Sequence, residues 1–185
     1  TDSSSSAWVA VPSGISPDNV RSVFFCELAF DAMAFYQMNR IQIGDGAALV
    51  SLGGTFSDRQ ITGVMERFPN ARAFDCFDND LAGRIYGLRI MALQEGIQMK
   101  ISRTDGGIRI EAKGKVFEPD MERPLLAQIA RQLNIRYRMG QWLPPKAFKD
   151  WNDCLLNKPM EVRLHPTKQD QINNLAERRN AGPKL

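Results

Sequence analysis

The chain is 185 residues long, 43% hydrophobic and 24% charged, a composition that fits one globular domain with a real core rather than a disordered or fibrous chain. No apolar run reaches membrane-spanning length, because Glu27 and Asp31 interrupt the most apolar stretch; the amino terminus lacks the basic and apolar regions of a secretory signal. The formal net charge of +3 conceals an asymmetry: residues 1–96 hold 7 Lys and Arg against 11 Asp and Glu, and residues 97–185 hold 17 against 10. Such halves suit a cation held by the first and a polyanion by the second, while two ordinary solvated faces are the plainer reading of the same numbers.

Residues 1–20 are rich in Ser, Pro and Gly and read as a linker from an upstream region, and the missing initial Met adds to the expectation of a piece of a longer polypeptide. From Arg21 the pattern is regular. SVFFCE reads as a buried strand and LAFDAMAFYQMN as a helix packed on a sheet; AALVSLGGT is a second strand ending in a Gly-Gly turn. SDRQITGVMERFP is a second helix with Ser57 as its cap, ARAFDCFDND a third strand, and LAGRIYGLRIMALQEG a third helix closed by Gly96. Strands alternating with helices across short loops predict an α/β fold with a mostly parallel central sheet flanked by helices.

Residues 97–145 depart from this rhythm and predict a basic α+β insertion: a hairpin around DGG, a helix over Pro119–Leu133 and a strand in IRYRMGQWLPP. AFKDWNDCLLNK is a short helix closing a domain of residues 21–160, and residues 161–185 lack a wide apolar face and read as a tail. The insertion interleaves Lys113, Lys115, Arg131, Arg136 and Arg138 with Tyr137 and Trp142, a mixture suited to phosphates and stacked bases, or equally to a solvated addition packed on the core.

The cysteines are three, Cys26, Cys76 and Cys154, with no CxxC spacing; the first two lie in apolar runs as small core residues, in keeping with a reducing, cytoplasmic setting. His165 is the single histidine, which leaves carboxylates as the available metal ligands and favours magnesium, manganese or calcium over zinc.

In a parallel sheet, ligands bind beyond the carboxyl ends of the strands. Glu27 ends the first strand, Gly53-Gly54 the second, and Asp78 and Asp80 the third, so three chain-distant features converge on one edge. Asp78 and Asp80 are two apart on an extended chain and can both reach one ion, which would relieve the repulsion among three carboxylates; a solvated turn is the alternative for the pair taken alone. Leu81-Ala82-Gly83 then opens a helix whose start favours anions. Gly53 and Gly54 serve either a tight turn or a substrate, Arg84 either the surface or a phosphate. Asp75, mid-strand, is out of place, paired with Arg72 or lying at a sheet edge.

These motifs resemble the Toprim domain of primases, topoisomerases and some nucleases, and most of all its primase and "Toprim-like" branch in bacterial mobile elements. E-x-x-x-D-A is matched by Glu27, Asp31 and Ala32; D-x-D-x-A-G-R by Asp78, Asp80, Ala82, Gly83 and Arg84; and K-D-x-x-[DE] by Lys149, Asp150 and Asp153. The resemblance implies a Rossmann-like Toprim fold acting on DNA or RNA and nucleotides. It implies Glu27 as general acid/base and third metal carboxylate, Asp78 and Asp80 on Mg2+ (or Mn2+), and Asp150 helping with a second ion. Gly53, Gly54, Arg84, Lys149, Arg136 and Arg138 would meet phosphate or nucleic acid. Primase-like nucleotidyl transfer is then the leading expectation, with a metal-dependent nuclease or a non-catalytic nucleic-acid-binding module as alternatives.

Overall fold

The computed structural model describes residues 7–160; the predicted tail, 161–185, and with it His165, lies outside the described residues. Eight strands and five helices follow in chain order among these residues: β1 (Trp8–Ala10), β2 (Ser22–Cys26), α1 (Ala29–Ile43), β3 (Ala47–Ser51), α2 (Asp58–Arg67), β4 (Arg72–Asp75), α3 (Leu81–Gln94), β5 (Met99–Thr104), β6 (Gly107–Ala112), β7 (Lys115–Phe117), α4 (Leu125–Leu133), β8 (Gly140–Gln141) and α5 (Trp151–Leu155).

The main sheet runs β1-β3-β2-β4-β8. The three pairings among β3, β2, β4 and β8 are parallel, with Phe24 opposite both Leu49 and Phe74, and β1 closes the outer edge antiparallel, Val9 facing Val50. Both faces are covered, so the strands read as continuous apolar runs rather than alternating ones. Successive side chains still point to opposite faces. Val23 and Phe25 enter the larger core with Ile61, Val64, Leu88 and Met91 from α2 and α3, whereas Phe24 and Cys26 enter a second core with Phe35 and Trp151 from α1 and α5. The mostly parallel α/β architecture is as predicted. No described helix is long and apolar enough to cross a membrane.

Four local differences have physical causes. Trp8–Ala10 sits inside the stretch read as linker, yet pairs with Leu49–Ser51, and Val20 is fully buried; a three-residue strand among Ser, Pro and Gly carries no periodic signal. The predicted hairpin has a third strand, so β5-β6-β7 form a separate antiparallel sheet whose Ile108 and Ile110 pack into the larger core. The helix predicted from Pro119 starts only at Leu125, after Pro124, which supplies no amide to the ladder. The strand predicted in IRYRMGQWLPP shrinks to Gly140–Gln141: Gly140 fits because a side chain there would collide with the Phe74 ring, and Pro144-Pro145 end the run.

Asp75 is neither at a sheet edge nor paired with Arg72. It lies in β4, between β2 and β8, 1% exposed. One carboxylate oxygen accepts the Phe77 amide at 3.2 Å and the other the Gln141 side-chain amide at 3.0 Å, while its carbonyl accepts the Trp142 amide at 2.8 Å. Arg72 instead lies over the Phe74 ring at 5.1 Å. Asp75 thus braces β8 to β4, and burial raises its carboxyl pKa to about 6.

Candidate functional site

The site is assembled at the carboxyl edge of the main sheet from the ends of β2, β3 and β4 and the turn before α5. The chain leaves β2 at Cys26, and the carbonyl of the next residue, Glu27, accepts the Gly53 amide at 2.9 Å, the Gly54 amide at 3.2 Å and the Ser51 hydroxyl at 3.3 Å. Gly53 and Gly54 have φ of +74° and +92°, the left-handed backbone that turns both amides back onto that carbonyl. The Gly-Gly pair therefore holds the Glu27 peptide in place.

Beyond β4 the chain runs through Cys76 and Phe77, both buried, to Asp78, which is 7% exposed. Gly83 packs against the Asp78 peptide so closely that an added Cβ would lie 2.9 Å from the Asp78 nitrogen. That contact explains the glycine of D-x-D-x-A-G: the first turn of α3 rests on the backbone presenting Asp78. Asp80 caps α3 by accepting the Gly83 amide at 2.9 Å, a bond that also places a carboxylate at the positive helix end.

Asn79, between the two aspartates, is a clamp that the sequence reading did not single out. Its backbone amide donates to the Lys149 carbonyl at 2.7 Å, and its side-chain amide donates to the carbonyls of Phe148 at 2.8 Å and Pro144 at 2.9 Å. The turn that carries Lys149 and Asp150 is thereby fastened to the Asp78–Asp80 loop. Lys149 Nζ stands 3.1 Å from Asp78 Oδ2 and 3.9 Å from Asp80 Oδ2. Asp150 caps α5, accepting the Asp153 amide at 2.7 Å.

Asp31, one turn into α1, completes the edge. It is buried and accepts the Asn152 amide at 3.4 Å. Burial, then Asp150 and Asp78, raise its carboxyl pKa to about 6. Its spacing from Glu27 in E-x-x-x-D was the available signal. Glu27 is also raised, by burial first and then by Asp78 and Asp80, with Lys149 opposing. Asp78 is raised by burial despite its bond to Lys149. Among the described residues, five carboxylates thus face one ammonium, an arrangement short of positive charge.

Among the described residues no three His, Cys, Asp or Glu side chains enclose an ion as they stand. Two carboxylate oxygens, from Asp78 and Asp80, do converge on one cationic point, the Lys149 ammonium. The donors at this edge are all hard oxygens, which suit Mg2+ or Mn2+ and not zinc. The residues present fit a magnesium site in donor chemistry, with Asp78 and Asp80 as its nearest pair.

Not every expected residue gathers here. Arg84 donates to the Met121 carbonyl and so ties α3 to the insertion. Arg136 and Arg138 precede β8, which runs parallel to β4, so they lie toward the amino edge of the sheet, opposite the carboxylates; the Arg138 carbonyl accepts Arg72 Nε at 2.7 Å. Arg138 lines an open groove of about 1090 Å3 there with Arg72, Tyr137 and Gln94. Trp142 belongs to the core rather than to a basic surface, its ring edge-on to Phe24 at 5.9 Å and Phe35 at 5.6 Å. Lys115 donates to the Gln132 carbonyl at 2.6 Å.

No curated protein and no solved structure gave a match to this chain. Residues 24–107, from β2 to the start of β6, match the family model described as Toprim-like, and the mostly parallel α/β sheet is consistent with that fold.

Proposed function

We propose that this domain binds Mg2+, or Mn2+ in its place, through Asp78 and Asp80 with Glu27 beside them, and carries out phosphoryl or nucleotidyl transfer on a nucleic acid as part of a primase-like replication or mobilisation protein. A Toprim domain by itself suggests metal-dependent processing of nucleic acid; the narrower reading rests on one observation, the convergence of Asp78 Oδ2 and Asp80 Oδ2 on a single cationic point next to a glutamate of raised pKa.

When bound, the metal would neutralise charge on the phosphate and orient the attacking oxygen. The chain's own residues do the rest. Asp80 is oriented by its cap bond to Gly83, and Asp78 by the packing of Gly83 on its peptide. The Glu27 carboxylate, raised by burial and its acidic neighbours, holds or takes a proton nearer neutrality than an exposed glutamate would. Asp150 stands by as a further carboxylate, its orientation fixed by the α5 cap.

Calorimetric titration of the chain with Mn2+, alongside Asp78→Asn, tests the reading. Saturable binding that Asp78→Asn abolishes supports it, and unchanged binding in the variant overturns it. Incubation with Mg2+, single-stranded DNA and nucleotides, and separately with labelled DNA or RNA, then distinguishes primer synthesis from cleavage; binding with neither reaction identifies a non-catalytic module.

A further inference from the structure

Among the described residues, Lys149 is the one ammonium placed between the two aspartates, and its backbone and side chain are held in opposite ways. Its carbonyl accepts the Asn79 amide at 2.7 Å, so the peptide is fastened to the very loop that carries Asp78 and Asp80. Its side chain is 49% exposed, with four rotatable carbons and open solvent to turn into, whereas the Asp78 side chain it contacts is only 9% exposed. The cation is thus tethered, but not enclosed.

We propose that Lys149 is a tethered counter-ion of the carboxylate edge: it holds Asp78 and Asp80 in the metal-free protein and yields their oxygens to a divalent cation. The inference rests on the metal-binding reading given above. Nζ lies 3.1 Å from Asp78 Oδ2 and 3.9 Å from Asp80 Oδ2, so a cation held by Asp78 and Asp80 would compete with the ammonium for the same two side chains. A magnesium ion approaches carboxylate oxygen to about 2.1 Å with twice the charge of an ammonium. Metal binding at these two aspartates would therefore come at the expense of the lysine contact. Without Lys149 the metal-free edge would set Glu27, Asp31, Asp78, Asp80 and Asp150 against one another with no cation between them, so the lysine also keeps the apo-protein's loops together. Because Asn79 keeps the Lys149 peptide anchored throughout, the ammonium swings aside without the turn being displaced.

The experiment compares Mn2+ affinity of the full chain with that of Lys149→Met and Lys149→Arg at about pH 8, above the carboxylate range. In parallel, the Lys149 side-chain signal of the unaltered protein, labelled on lysine, is followed by NMR during Mg2+ titration. Lys149→Met should bind Mn2+ roughly two- to tenfold more tightly, the scale of a partly exposed ion pair. Lys149→Arg, which keeps the cation, should bind no more tightly than the original chain. The Lys149 signal should shift and saturate with the metal. Unchanged or weaker affinity in Lys149→Met, or a Lys149 signal that stays still while calorimetry shows saturation, overturns the exchange and leaves the metal site standing. If neither the original chain nor Lys149→Met binds Mn2+, the metal reading itself fails and the exchange with it. Should Lys149→Met not fold, the lysine signal of the unaltered protein decides.

Discussion

Gly87, in the middle of α3, lies directly against the Asp75 carboxylate of β4: a methyl group built on Gly87 would land on Asp75 Oδ2. Helix-interior glycine is unfavourable by itself. Its place here is set by a buried carboxylate that already binds Phe77 and Gln141 and leaves no room above it.

Gly87→Ala should therefore destabilise the domain by about 1–3 kcal/mol despite the better helix propensity of alanine, because overpacking outweighs it. In an Asp75→Ala background the new methyl meets vacated space. The penalty should then shrink by about 1 kcal/mol or more, a coupling that urea denaturation of the four proteins measures directly. Equal penalties in both backgrounds would show that the contact is not what excludes alanine.

Burial raises the Asp75 carboxyl from its ordinary 3.8 to about 6. Between those values the folded chain keeps a proton that the unfolded chain gives up. Stability from this group is therefore complete below about pH 4 and is lost as pH rises through about 6. Asp75→Asn removes the charge while retaining an acceptor for the Phe77 amide and a donor for a flipped Gln141. It should be more stable than the original at neutral pH, by up to about 3 kcal/mol, with the difference vanishing near pH 4. Urea midpoints of the two proteins across that window give the result; a variant less stable at pH 7 would sink the argument.

Asn79 holds the 144–149 turn through the carbonyls of Pro144, Phe148 and Lys149. Its backbone bond survives substitution, but Asn79→Ala removes the side-chain donor and leaves partly buried carbonyls unpaired, at about 1–3 kcal/mol. The turn should open locally before the domain unfolds. Trypsin cleavage after Lys146 and Lys149 should accelerate by about tenfold or more at temperatures where the far-UV spectrum is unchanged, as expected for an opening free energy lowered by that amount. Cleavage at the original rate would mean that Asn79 is not the clamp.

These three residues also mark where the sequence stops being readable. Glu27, Asp78 and Asp80 were legible because strand ends and a two-residue spacing place them on one edge whatever their partners are. Asp75 was not: its meaning depends on Gln141, 66 residues away, and on a glycine in the next helix. Asn79 was not singled out, since its partners sit 65 and 69 residues downstream. Arg136 and Arg138 were grouped with the site by charge, and only the parallel direction of β8 puts them toward the other edge. Trp142 suited a stacked base or packing on the core equally, and its contacts with Phe24 and Phe35 are of the second kind. Periodicity reports which face a residue takes; it does not report which distant segment returns to meet it.

Substitution of Glu27 separates its two roles, proton carrier and metal carboxylate. Its backbone is fixed by Gly53 and Gly54, so a change of side chain should leave the turn intact. In the absence of a cation its carboxyl is raised by burial and by Asp78 and Asp80. Glu27→Gln keeps the shape and abolishes the proton acceptor. If Glu27 carries the proton, the metal titration should keep its midpoint within about threefold, while the rate of the metal-dependent reaction on nucleic acid falls by about 10²–10⁴. Asp78→Asn should instead lose the metal titration itself. A Glu27→Gln variant whose metal binding collapses together with its activity would make Glu27 a ligand first, and the proton would then have to be carried by another carboxylate of the edge, with Asp31, whose own carboxyl is raised to about 6, the nearest in character.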